Sequence, residues 1–152
     1  MANSDPLLEV RTTHSALISN LEAFYLALID LNYLRPGEVQ FPPHTGPTKT
    51  PLATTAIQSS NLTQEAQQLL HLLPYLTPST ISLFNGESRI SLLSKPLSYL
   101  TKREEDEYSL HDERSFGYGD DGEVPLPAWA VKIFAARNSS ENMVIYDTRN
   151  ST

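Results

Sequence analysis

The chain has 152 residues, 39% of them hydrophobic and 19% charged, which is the size and composition of one domain able to bury one core. A net charge of -7 repels phosphate backbones and anionic lipid, and the eleven Lys and Arg residues form no basic cluster, so neither nucleic acid nor membrane is an expected partner. Cysteine is absent, which excludes disulfides, thiolate metal sites and cysteine nucleophiles together.

The first residues lack a basic stretch followed by an apolar run, and no segment approaches the ~18 apolar residues of a membrane span. The chain therefore reads as a soluble cytoplasmic protein, a reading that does not exclude the nucleus. Sequons at Asn61, Asn138 and Asn150 read as unused in that setting.

In chain order, the first element is a helix over 14–34. Leu17, Leu21, Phe24, Leu28 and Leu31 recur at spacings of four and three, and Ile18, Tyr25 and Ile29 widen the stripe. Thr12 or Thr13 is the expected N-cap, and Arg35-Pro36-Gly37 the expected stop. A proline-rich connector over 41–51 follows, with no periodicity. Residues 51–57 fit either a helical turn or a strand.

A second helix is predicted over 61–73, with Asn61 as N-cap, Gln64 in capping-box position and Pro74 as the stop. Leu62, Ala66, Leu69, Leu70 and Leu73 form its expected buried face. The turn dipeptide Asn85-Gly86 between two apolar runs predicts a hairpin over 81–93. Residues 102–123 carry nine acidic residues against three basic ones, with Gly117, Gly119 and Gly122 near the end, and read as an acidic flexible loop. Two β-prone runs, 131–134 and 143–146, flank a polar break and predict a closing hairpin, which Trp129 leads into. Its second strand needs an inner partner in the strand at 88–93, or faces a binding partner, or marks a truncated chain.

Chemistry has little to rest on in this pattern. None of the four histidines stands at metal-ligand spacing, and there is no nucleophile elbow and no phosphate loop. His111-Asp112 matches the adjacent His-Asp pair of metal phosphohydrolases but lies in an acidic stretch instead of on a buried helix. No catalytic residue, metal site or cofactor is assigned. Tyr108, Tyr118, Trp129 and Tyr146 are the interaction candidates, because amphipathic aromatics are enriched at interfaces. His44, His71 and His111 are the polar groups that a ligand pocket would use, provided one of them meets an Asp or Glu in an apolar concavity.

The segments Phe41-Pro-Pro-His44, Leu72-Leu-Pro-Tyr-Leu76, Leu126-Pro-Ala-Trp129 and Val144-Ile-Tyr-Asp-Thr148 resemble, in this order, a family of uncharacterised filamentous-fungal proteins. The last quarter is similar to the SUKH superfamily of cell-wall-regulator and toxin-immunity proteins, in which an aromatic-led strand precedes a strand ending in aspartate. The resemblance implies an α+β binding module without catalytic residues, and no functional residue carries over from it.

The sequence as a whole predicts a single α+β domain over 1–152, with two main helices packed on a small, mainly antiparallel sheet and long proline-rich and acidic loops. The expected function is a non-enzymatic protein-interaction or regulatory module with a basic protein partner. It should present an exposed aromatic patch beside the acidic stretch. The alternative is a small-ligand binder or an enzyme with a pocket between helices and sheet.

Overall fold

The computed structural model describes residues 5–77, 95–101, 114–135 and 143–150, with the backbone alone for Lys95 and residues 117–119. Among the described residues it is an α+β fold of four helices and three small antiparallel sheets. The hairpin expected over 81–93 lies outside the described residues, as do Tyr108 and His111.

The chain enters its first helix earlier than the periodicity predicts. Asp5 caps α1 (Pro6–Thr13) by accepting from Leu7 N at 3.1 Å, and Pro6 sits in the first turn, where its missing N–H costs nothing. His14, at φ -106° and ψ 24°, ends α1 and opens α2 (Ser15–Asp30). The helix expected over 14–34 is thus α2, preceded by a separate helix that the periodicity does not predict. The second stops at Leu31 because Asn32 takes a left-handed conformation, φ 58°, and Tyr33 and Leu34 then donate back to Leu28 O. Asparagine accepts that conformation more readily than most residues, which ends the helix before Arg35-Pro36 is reached. Pro36 instead begins a 3₁₀ turn, Pro36–Glu38, in which the Glu38 carboxylate accepts from Arg35 N.

The buried centre of α2 is also displaced within the expected stripe. Ile18 and Tyr25, seven positions apart, are buried, whereas Phe24 is 37% and Leu31 66% exposed. Ile18→Ala is therefore expected to cost about 3 kcal/mol, and Leu31→Gln under about 0.5 kcal/mol, in urea denaturation. Equal costs would mean that the helix is rotated from this phase.

After β1 (Val39–Gln40), residues 51–57 take the helical of the two alternatives left open for them, preceded by a single isolated bridge. Leu52 bridges Leu100, and α3 (Thr54–Ser59) follows. The next helix, α4 (Gln64–Leu70), is capped by Thr63, which accepts from Ala66 N at 3.3 Å, in place of the expected Asn61. Its buried face is the predicted one: Leu62, Ala66, Leu69, Leu70 and Leu73 are each at most 6% exposed. They join Val10, Ile18, Tyr99, Val131 and Tyr146 in one hydrophobic core, so the helices and the closing strands share it.

β2 (Tyr75–Leu76) pairs with β1, and β3 (Lys95–Pro96) is the next described strand. Residues 102–113 lie outside the description, but the rest of the expected acidic loop is ordered as β4 (Ser115–Gly119) and β5 (Gly122–Pro125). The closing hairpin forms as β6 (Ala130–Ala135) and β7 (Val144–Asp147), with Val131 opposite Tyr146 and a bulge between Lys132 and Phe134. β6 is central in the order β3-β6-β7, with Lys95–Pro96 on its other side, so among the described residues β7 is an edge strand and the expected inner partner at 88–93 lies outside them.

Candidate interaction site

The β4–β5 hairpin is the one described sheet whose strands leave apolar side chains to solvent on both sides of its turn. The turn is Asp120-Asp121, closed by Gly122 at φ 108°, a backbone conformation that favours glycine. Gly117 stands opposite Val124 and Gly119 opposite Gly122, so these positions supply no cross-strand side-chain contact to shield the ribbon. Val124 remains 44% and Phe116 46% exposed, and all four residues of β5 are exposed. Asp120, Asp121 and Glu123 make the ribbon negative, and residues 115–125 contain no Lys or Arg to offset them.

A two-stranded ribbon is marginal in water, and this one is held at its base. Arg114 spends four N–H bonds there: Nε donates to Asn61 Oδ1 at 3.1 Å, Nη2 to Leu126 O at 3.0 Å and to Pro127 O at 2.7 Å, and Nη1 to Ala130 O. Leu126 N returns a bond to Arg114 O at 2.7 Å, and Thr63 N donates to Ala128 O, tying the start of α4 to the same turn. Burial pulls the guanidinium pKa down from its ordinary value, against the pull of Tyr99 upward, yet a guanidinium stays charged at neutral pH. The clamp explains why Asn61 does not cap α4: its side chain serves Arg114 instead.

The four aromatic candidates separate. Tyr118 lies in β4. Trp129 is half-buried just before β6, with the Arg149 guanidinium 3.8 Å above its ring. Arg149 is oriented by Asp147 through Nε at 3.1 Å and Nη2 at 2.8 Å, and this pairing holds the Asp147 carboxyl below the ordinary aspartate range. Trp129 O also accepts from both N and Oγ1 of Thr148, so the pair is fastened across the hairpin. Tyr146 is buried, 7% exposed, its hydroxyl 2.9 Å from His14 Nδ1. It belongs to the core, whereas Phe116, which residue-type reasoning passed over, is at the surface. The Asp121-Gly122 dipeptide between two short runs was the sequence signal for this hairpin.

Neither described pocket histidine meets a carboxylate among the described residues. His44 is buried between Gln40 and Leu73, and burial lowers its pKa. His71 follows α4, half-buried, its pKa likewise lowered by burial. The histidine that meets an acid is His14, whose side chain is fully buried with Nε2 3.0 Å from Glu65 Oε1. Nε2 donates to the Glu65 carboxylate, and Nδ1 shares a hydrogen bond with the Tyr146 hydroxyl. Glu65 is the solvent-facing end of this chain and the tyrosine the buried end. A base working on a substrate would need the reverse order, so the triad is a tether between the α1–α2 junction, α4 and β7.

A cavity does lie between helices and sheet, lined by Leu21, Tyr25, Leu73, Pro74, Tyr75, Leu97, Tyr99 and Ile133. Its volume of about 10 Å³ is room for one water. Burial raises the Tyr25 hydroxyl pKa above the ordinary phenol value, so the lining is neutral at physiological pH. No group of three or more potential metal ligands occurs among the described residues, and no described helix is long and apolar enough to cross a membrane. The chain matches no protein-family model, no curated protein and no solved structure.

Proposed function

We propose that the chain is a non-enzymatic protein-interaction module, and that the β4–β5 hairpin docks a basic, extended segment of another protein. The observation that carries this reading is the glycine-backed ribbon itself, with Phe116 and Val124 half-exposed beside a turn of two aspartates. A partner covering the ribbon gives it the side-chain contacts that its own glycines withhold. The charge supports one kind of occupant: residues 115–125 carry three carboxylates and no Lys or Arg in sequence, and the adjacent Arg114 is committed to carbonyls. A second copy of the chain would bring the same negative ribbon and a further charge of -7. Among the described residues, the cavity between helices and sheet holds about one water, less than the ligand of the alternative reading needs.

A fluorescent octapeptide of alternating lysine and valine, followed by anisotropy, tests the proposal. It is expected to bind, and to bind more weakly as salt rises from about 50 to about 500 mM, where exposed charges are screened. Asp120→Asn with Asp121→Asn should weaken binding roughly fivefold, and Phe116→Ser should weaken it further. The proposal fails if the doubly substituted protein binds as the wild type does, or if a glutamate–valine octapeptide binds equally well. Dimerisation of the unliganded protein through this ribbon, seen in sedimentation and abolished by Phe116→Ser, would assign the surface to a second copy and overturn the basic-partner reading.

A further inference from the structure

His44 sits at the centre of a hydrogen-bond chain whose donors and acceptors have only one consistent assignment. Nε2 donates to Leu73 O at 2.8 Å, which leaves Nδ1 as an acceptor, 2.9 Å from Gln40 Nε2. The same Gln40 amide donates to Thr50 O at 2.7 Å and accepts from Thr50 N at 2.9 Å. Both amide hydrogens and the carbonyl are thereby used, and the residues bridged lie at the two ends of the 41–50 connector. Lys49 Nζ closes the connector from the other side, donating to Phe41 O and Pro43 O.

The geometry points to an acid-released latch: the two ends of the 41–50 connector, Gln40 and Thr50, are held together against neutral His44, itself anchored on Leu73 O beyond α4, and part when His44 takes a second proton. That proton can only go to Nδ1, where it would face the Gln40 amide hydrogens. Turning the amide over presents its oxygen to His44 but sets its NH₂ against Thr50 N and removes both bonds to Thr50. Protonation therefore breaks either the His44–Gln40 bond or the Gln40–Thr50 pair, while the Nε2 bond to Leu73 O can persist.

The surroundings favour the neutral ring. The charged and titratable groups facing His44 are Lys49 from the connector, His71 from the end of α4 and Tyr75 from β2. No carboxylate among the described residues bonds to His44. Burial is the largest effect lowering its pKa, and Lys49 and His71 add to it, while the Leu73 carbonyl opposes them. The folded imidazole therefore titrates below the ordinary 6.5. As pH falls through 6.5, states in which His44 is released and hydrated gain protons first, and stability of the latched state is lost from there down to the folded pKa.

Amide hydrogen exchange in the wild-type protein tests this directly. The Thr50 amide, bonded to Gln40, should lose about tenfold in protection factor between pH 7 and pH 5, while Thr148, bonded to Trp129 O, keeps its protection. His44→Gln should abolish the pH dependence at Thr50. Gln40→Glu, whose carboxylate accepts from a protonated imidazole, should hold Thr50 protected to pH 5 and raise the His44 pKa above 6.5. The latch is overturned by a Thr50 protection factor that stays flat in the wild type, by a parallel fall at Thr50 and Thr148, by an unchanged fall in His44→Gln, or by a wild-type-like fall in Gln40→Glu. If either variant does not fold, the wild-type profile at the two amides decides alone.

Discussion

Arg114→Ala is expected to lower the unfolding free energy by about 3 kcal/mol, because it removes bonds from a charged donor to three main-chain carbonyls and one side chain. Leu126 is 1% and Ala130 4% exposed, so water replaces the lost donors poorly at those carbonyls. Arg114→Lys keeps the charge but lacks the planar fork, since an ammonium has three donors on one centre and cannot span carbonyls from Leu126 to Ala130 as well as Asn61. It should recover less than half of the loss. Urea denaturation of both variants decides between a clamp and a spectator, and a cost below about 1 kcal/mol for the alanine variant would remove the clamp from the account. Because the same bonds fix the base of β4–β5, the alanine variant should also bind the lysine–valine octapeptide more weakly.

His14→Ala is the second large effect, expected at about 3 kcal/mol in the same measurement. The substitution empties a fully buried site, removes the edge-on ring contact with Tyr146 and strips its hydroxyl of one partner. Glu65→Ala, at the half-exposed end of the same chain, should cost only about 1 kcal/mol, since water can approach the freed Nε2. The difference between the two substitutions identifies a tether. If Glu65→Ala were as costly as His14→Ala, the carboxylate would be the group on which the triad depends.

The sequence made parts of this structure legible where the signal is local. The leucines of α4 repeat at helical spacing and are all buried, and β6 and β7 carry enough β-branched and aromatic residues to mark a hairpin. The stripe of α2 was read with its centre displaced: Ile18 and Tyr25, read as its widening, are its buried centre, and Phe24 and Leu31 face solvent. Leu17, Leu21, Phe24, Leu28 and Leu31 satisfy the helical period as well as Ile18 and Tyr25 do, and only packing chooses between adjacent stripes. α1 escaped notice because it buries a single residue, Val10, and so has almost no periodic face.

The candidate site was harder to see for a different reason. Its acidic composition reads as a loop, and that impression outweighed the Asp121-Gly122 turn and the short runs beside it. The groups that organise the molecule are also joined across long separations. His14 reaches Glu65 over 51 residues and Tyr146 over 132, and Arg114 reaches Asn61 over 53, so no linear motif records them. Tyr146, expected at an interface, is buried, and Phe116, for which no role was expected, is exposed: residue type shows which side chains suit an interface, and only the fold decides which of them faces water.

The docking role of the β4–β5 ribbon is the claim on which the functional account stands, and backbone chemical-shift mapping of the isotopically labelled protein during titration with the lysine–valine octapeptide tests it most directly. The predicted result is a set of salt-sensitive shifts confined to Phe116, Asp120, Asp121, Glu123 and Val124, with the α4 amides unmoved. Shifts centred elsewhere, or none at any peptide concentration that binds, would contradict it.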